Sequence, residues 1–191
     1  MNAQSAFDGL DDAQLASRAL SGERAAFDEI VRRHGPSTLR VALRLCHDRA
    51  SAEDITQEAM LRVWNQLHRY DPALARFSTW LYRITVNLCI DQSRKWRGEA
   101  LPGNYDAADT SPDSQQTLAA REAKQLLAKA LAQLPVRQRA VILLVYEEGL
   151  SGADTARVLD LSPKAVERLL ARAREQLKKA LRRRGMREFE P

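Results

Sequence analysis

The sequence predicts an all-α chain: two small helical domains joined by a flexible acidic linker, the second carrying a helix-turn-helix. Three observations predict it. Apolar residues recur at helical spacing almost throughout, and long alternating stretches are absent. Residues 99–118 hold four acids (Glu99, Asp106, Asp109, Asp113) and no base, among scattered prolines, glycine and serines. Such a segment repels itself and lacks the apolar content for a core. Finally, two helix-start signals flank a tight turn near Asp160. The composition places a first domain at 1–98, the linker at 99–120, a second domain at 121–185 and a short tail at 186–191. An internal acidic loop on one larger domain is the alternative reading.

The elements follow in order. Leu15, Ala19, Phe27, Ile30 and Val31 mark helical periodicity from Asp11 to Arg33, broken into two helices by Ser21-Gly22. A third helix is expected from about Pro36 to Cys46. Ser51-Ala-Glu-Asp54 reads as a capping box that opens the next, carried on by Ile55, Ala59, Leu61, Trp64 and Leu67. Asp71-Pro72 makes a turn, and the loop reaches Ser78. Leu81, Ile84, Leu88 and Ile90 then sustain a strong helix to about Trp96. Beyond the linker, Leu126 to Leu134 marks a helix ending before Pro135. Arg137 to Glu148 marks another, stopped by Gly149.

Bulk properties remove several classes of function. The chain has 30 basic and 25 acidic residues, a net charge of +5 and a pI near 9.5, which mildly favours a polyanionic partner. Its two cysteines, Cys46 and Cys89, form no Cys-x-x-Cys pair. They read as core residues, and an oxidation response would need exposure and a depressed pKa. His34, His47 and His68 have no cysteine or acidic partners at ligand spacing, and no glycine-rich phosphate loop or nucleophile setting is present. Neither catalysis, a metal nor a cofactor is expected. The N-terminus is polar and acidic, unlike a signal peptide. No apolar run approaches the ~20 residues that span a bilayer. A cytoplasmic location without direct membrane insertion is the expectation.

The basic charge is concentrated. Between Ser162 and Pro191 ten bases face four acids. Ser151, with Asp154 three residues on, caps one helix buried through Ala156, Val158 and Leu159. After the turn Leu159-Asp160-Leu161, Ser162 caps a second, with Pro163 at its first position. Asp160 stands where glycine is common, and aspartate tolerates left-handed backbone. Val166, Leu169 and Leu170 anchor the second helix, which offers Lys164, Arg168, Arg172 and Arg174 on its other face. Polar residues at the start and flanking cations are what a major-groove recognition helix needs. Arginine's fork also matches guanine edges.

Residues 71–97 carry a second signal. Phe77, Trp80 and Tyr82 cluster, with Tyr70 and Trp96 nearby; Arg83, Asn87, Asp91 and Arg94 follow at helical spacing, with Lys95 beside them. Rings stack on unpaired bases, amides read base edges and cations hold a backbone, so the face suits single-stranded DNA. An amphipathic core helix with a solvated face fits the same composition equally well.

The chain resembles the extracytoplasmic-function (ECF) sigma factors over nearly its whole length. SAEDITQEAMLRVWNQL (51–67) resembles their polymerase-binding helix. FSTWLYRITVNLCIDQSRK (77–95) resembles their melting and minus-10 helix. Residues 134–181 resemble their promoter-reading C-terminal domain. The resemblance implies that Asp54, Gln57 and Glu58 dock on the clamp helices of the largest subunit of core RNA polymerase. It implies that the loop from Tyr70 to Ser78, with Asn87, holds an unstacked base of the melted strand. Phe77 and Trp80 either contact bases or are core rings supporting that pocket. Arg83, Arg94, Lys95 and Arg97 are candidate backbone contacts. Lys164, Arg168, Arg172 and Arg174 would read duplex promoter DNA at the minus-35 element. Glu167 departs from the family's usual base; it would accept a hydrogen bond from cytosine or pair with an arginine. Leu169 also stands where arginine is frequent. The resemblance further implies an anti-sigma partner, and two domains that move freely until polymerase binds. The competing reading is a classical dimeric regulator, which would bind duplex DNA without polymerase.

Overall fold

The structure, a computed structural model, describes residues 7–46, 48–96 and 118–183. Residues 99–117 of the expected linker (99–120), the tail, His47 and Arg97 lie outside them. Among the described residues the chain runs α1 (Asp12–Leu20), α2 (Arg24–Leu45), α3 (Arg49–Gln66), α4 (Phe77–Trp96), α5 (Leu118–Ala132), α6 (Val136–Ile142), α7 (Gly152–Leu159) and α8 (Pro163–Arg183). No strand occurs among them.

Local chemistry accounts for most of the boundaries. Asp11 caps α1 reciprocally with Gln14: the Gln14 amide donates to Asp11 Oδ1 at 2.8 Å, and the Asp11 amide to Gln14 Oε1 at 2.9 Å. Two boundaries differ from the sequence expectation. Helix α2 continues through Pro36 instead of restarting there. A proline deletes one backbone bond and crowds the preceding turn. Here Ile30 before it and Val41 after it are both fully buried. The Ser37 and Thr38 hydroxyls donate to the His34 carbonyl at 3.0 and 2.7 Å. Packing on both sides outweighs the local cost. Helix α3 is capped by Asp48 rather than Ser51. Asp48 Oδ1 accepts from the Ser51 amide at 2.8 Å, and the Ser51 hydroxyl donates to Oδ2 at 2.7 Å.

A buried carboxylate organises the N-terminal half. Glu29 is 6% exposed and accepts three guanidinium bonds of 2.6 Å, two from Arg32 and one from Arg33. Arg33 in turn donates to the Leu10 and Phe7 carbonyls at 2.7 and 3.0 Å, fixing the segment before α1. The hydrogen bonds from Arg32 and then Arg33 pull the Glu29 pKa down to about 2.

Two clusters make the core. The first joins Leu15, Ile30, Val63, Leu67, Phe77 and Leu81. The second joins Val41, Leu45, Ile55, Tyr82 and Val86 of the N-terminal half to Leu134, Leu144, Val158, Leu159, Val166 and Leu177 of the C-terminal half. Helix α4 lies between the clusters, and α7 packs directly on it. The two helical units therefore share the second of these clusters. Apolar side chains of α4 and α7 cover each other within the second cluster.

The turn between α7 and α8 holds Asp160 in left-handed backbone, φ 54 and ψ 52. Asp160→Gly is expected to keep or raise the melting temperature. Asp160→Val should destabilise by roughly 1–2 kcal/mol, since a β-branched residue resists positive φ. Thermal unfolding checks both. Glu29 supplies an acid-sensitive contribution. Its folded pKa is depressed, so that stability is present above about pH 4.5 and fades as pH falls towards 2. Glu29→Gln should flatten the pH dependence of stability in that window, measured by denaturant titration.

Candidate nucleic-acid and polymerase interface

Helix α8 presents a cationic stripe. Lys164, Arg168 and Arg172 are exposed four residues apart, on the side opposite buried Val166, Ala173 and Leu177. The start of the helix is fixed by the Ala165 amide donating to Ser162 Oγ at 3.2 Å. Ser151 likewise caps α7, accepting from the Asp154 amide at 3.0 Å. Arg168 bends back to its own Lys164 carbonyl at 3.3 Å, leaving its other guanidinium nitrogens outward. Arg174 sits over the Tyr146 ring at 5.3 Å, a cation–π contact that sets it apart from the stripe. Glu167 is exposed and forms no ion pair among the described residues, so the arginine-pairing alternative is not taken.

Helix α4 presents a second polar face. Arg83, Arg94 and Lys95 are exposed and Asn87 is half-buried, with Arg83, Asn87 and Arg94 along one side. Arg94 pairs with Asp91 at 3.5 Å. At its N-terminal end stand four rings. Phe77 is 1% exposed, with centroids of Tyr70, His34 and Trp80 at 5.1, 5.1 and 5.7 Å. It is a core ring supporting the site, which corrects its inclusion among DNA contacts. Trp80 is half-buried and tilts against Tyr70 at 5.5 Å, so these two rings remain accessible. They line a cleft of about 810 Å³ together with Leu74, Arg83 and, from the other half, Asp160 and Pro163.

Helix α3 carries a third surface. Asp54 and Gln57 are exposed; Glu58 is half-buried and accepts from Arg62 Nε at 2.7 Å. Beside them Leu61 and Trp64 are 56% and 41% exposed. Trp64 meets Phe27 edge-on at 4.8 Å, and the groove between α2 and α3 is floored by Met60 and Val31. Residues 57, 61 and 64 share one helical side, which is the signal that groups Leu61 and Trp64 with Gln57. In the sequence both belong simply to the apolar run that continues the helix after Ser51.

These surfaces coincide with known families. Residues 30–98 match Sigma-70 region 2 and residues 124–177 match Sigma-70, region 4. The ECF RNA polymerase sigma factor SigM of Mycobacterium tuberculosis is 35% identical over 175 residues, covering 89% of this chain and 84% of that protein. The chain belongs to the ECF sigma factor family. The RNA polymerase sigma factor CnrH of Cupriavidus metallidurans is 33% identical, over 87% of this chain and 92% of its own. CnrH in complex with the cytosolic domain of CnrY superposes with a TM-score of 0.67 at 31% identity, over 91% of this chain and 97% of the CnrH chain.

In this ECF sigma factor the halves meet through polar contacts as well as apolar ones. Tyr82 donates to Glu148, which also accepts from Arg40. Burial, then the Glu148 hydrogen bond, raises the Tyr82 pKa to about 12. The cysteines lack the exposure that an oxidation response needs. Both are buried, with sulfurs 3.9 Å apart. The hydrogen bond with Cys46 and burial push the Cys89 thiol well up, suppressing the reactive thiolate. No described helix is long and apolar enough to cross a membrane.

Phe77→Ala should cost roughly 3–5 kcal/mol of stability, as a large core truncation. Asn87→Ala should stay within about 1 kcal/mol of the wild type. Denaturant unfolding separates the two. Because the folded Tyr82 pKa is raised, its stabilisation is complete below about pH 10 and is lost as pH rises towards 12. Tyr82→Phe should remove that alkaline dependence.

Proposed function

We propose that this ECF sigma factor binds core RNA polymerase and directs initiation at a two-part promoter. The observation that carries the reading is the pair of exposed DNA-suited faces. The cationic stripe of α8 and the polar face of α4 lie on one chain, within the two matched sigma regions. The N-terminal unit, residues 1–98, docks on the clamp helices of the largest subunit and captures melted bases. Asp54, Gln57 and Glu58 supply the polar rim of that docking surface; Leu61 and Trp64 supply its apolar centre, where interface energy concentrates.

Promoter opening follows from base capture. Unstacking a base costs a few kcal/mol, and the Trp80–Tyr70 platform with Asn87 offsets it by stacking and hydrogen bonding. Arg83, Arg94 and Lys95 hold the strand's phosphates. The C-terminal unit, residues 121–185, grips the minus-35 duplex. Lys164, Arg168 and Arg172 neutralise phosphates or read base edges. Glu167, unpaired among the described residues, accepts from a cytosine amino group. Arg174 steadies the helix on Tyr146. An anti-sigma factor holds the chain inactive until a stress signal, as a partner for exposed apolar residues such as Leu61, Trp64 and Leu74. The chemistry is binding alone, with no catalytic group of its own, and the chain works in the cytoplasm.

Transcription with purified bacterial core polymerase on random promoter fragments tests this reading. Transcripts from a defined two-part promoter are expected. Arg172→Ala should weaken the upstream half by about 1–3 kcal/mol and Asn87→Ala the downstream half by a similar amount. Trp64→Ala should weaken core binding by about 2 kcal/mol, with a loss of fold stability of at least about 0.5–1.5 kcal/mol from the broken Phe27 contact. Tight duplex binding without any effect on core would instead establish a classical regulator.

A further inference from the structure

We propose that Cys46 and Cys89 form a binding site for a monovalent thiophilic ion, Cu(I), inside the N-terminal unit. The site is separate from the DNA and polymerase surfaces and does not rest on the sigma reading.

The two thiols stand 43 positions apart in the sequence, so no ligand spacing betrays them. The fold brings them together. Cys46 closes α2 in extended backbone, and Cys89 lies within α4. Their sulfurs are 3.9 Å apart, and Gln92 Oε1, three residues on from Cys89, lies 3.6 Å from Cys46 Sγ. Two thiolates held about 2.3 Å from one ion, at trigonal or tetrahedral angles, stand about 3.8–4.0 Å apart. A disulfide needs its sulfurs at about 2.05 Å, roughly 2 Å closer than here. The separation therefore suits a bridging ion rather than a bond. A cavity of about 10 Å³ adjoins both sulfurs, room for one small ion or water. Exposed Asp48 and half-buried Gln92 and Ser93 also line it, so the cavity reaches the surface.

Ligand softness and charge select the ion. Thiolates favour Cu(I) and zinc. Structural zinc takes four Cys, His or carboxylate ligands. No group of even three such residues is gathered among the described residues. Cu(I) is satisfied by two thiolates, with the Gln92 amide oxygen as a weak third donor. Binding is an exchange in which no electron moves: one Cu⁺ and two Cys thiols give one Cu(I)–dithiolate and two protons, released to solvent. The ion displaces the proton that the Cys46 contact and burial hold on Cys89. The product carries one negative charge, and a buried charge is tolerated where it is paired. Arg139 on α6 is 4% exposed and is the cation that acts on Cys89. Its Nη1 donates to the Arg44 carbonyl at 3.5 Å, two residues before Cys46. The bound ion ties the end of α2 to α4 beside Asp48, whose carboxylate caps α3. It thus staples three helices of the N-terminal unit.

The test titrates the full chain with Cu(I), anaerobically and under a phosphine reductant, against a chromophoric Cu(I) chelator. Cys46 and Cys89 are the chain's only thiols, so one ion per chain is the whole expected uptake. X-ray absorption should count two sulfurs around the copper at about 2.3 Å. Free Cu(I) at a hundredfold excess over Kd should raise the melting temperature by about 5–10 °C. Cys46→Ser and Cys89→Ala should each weaken binding about a hundredfold or more, and Gln92→Leu about tenfold. Far-UV circular dichroism confirms the fold of each variant; if a cysteine variant does not fold, the sulfur count on the wild-type chain decides. A wild-type chain that takes up no Cu(I), fewer than two sulfurs around the metal, or binding retained in both cysteine variants would overturn the proposal. Core polymerase enters none of these measurements, so failure of the sigma reading leaves them intact.

Discussion

Burial of α4 on two sides is the constraint on which the rest of the molecule depends. Its Phe77 and Leu81 belong to the N-terminal core. Its Tyr82, Val86, Cys89 and Ile90 belong to the cluster shared with the C-terminal half. Only a narrow strip, including Arg83, Asn87, Asp91 and Arg94, is left to the surface or half-buried. A helix used this way cannot be very polar, and the remaining strip must hold all its recognition chemistry. That explains why arginines and an amide recur there at helical spacing.

The shared cluster also sets the energetics of separating the halves. Fully burying a valine-sized or larger side chain is worth about 1.5–3 kcal/mol. Val86 and Val158 are both wholly buried in that cluster. Separating the halves without re-covering such surface is unfavourable. Glu148 adds direction to an otherwise non-directional contact, since apolar faces tolerate sliding and a carboxylate held by Arg40 and Tyr82 does not.

Much of this was legible in the sequence. The helix-turn-helix was written in its caps: Ser151 and Ser162 act as the spacing indicated, and Asp160 takes the left-handed position expected of it. The cationic stripe followed from four-residue spacing alone. Pro36 misled because local propensity marks a helix break there, while Ile30 and Val41 supply tertiary packing that no local rule contains. Ser51 misled because two acceptable caps, Asp48 and Ser51, stand three residues apart, and the first serves. Phe77, Leu61 and Trp64 were harder. Composition says that a ring or a leucine is present but not which way the helix turns it. Contacts over more than a hundred residues, such as Arg40 with Glu148, leave no local signal at all.

Pulsed dipolar spectroscopy tests the central claim most directly, with spin labels at exposed Asn65 on α3 and Gln176 on α8. The account predicts one narrow, short distance in the free chain. A broad or long distance distribution would contradict it, because halves that bury α4 between them hold α3 and α8 at one separation.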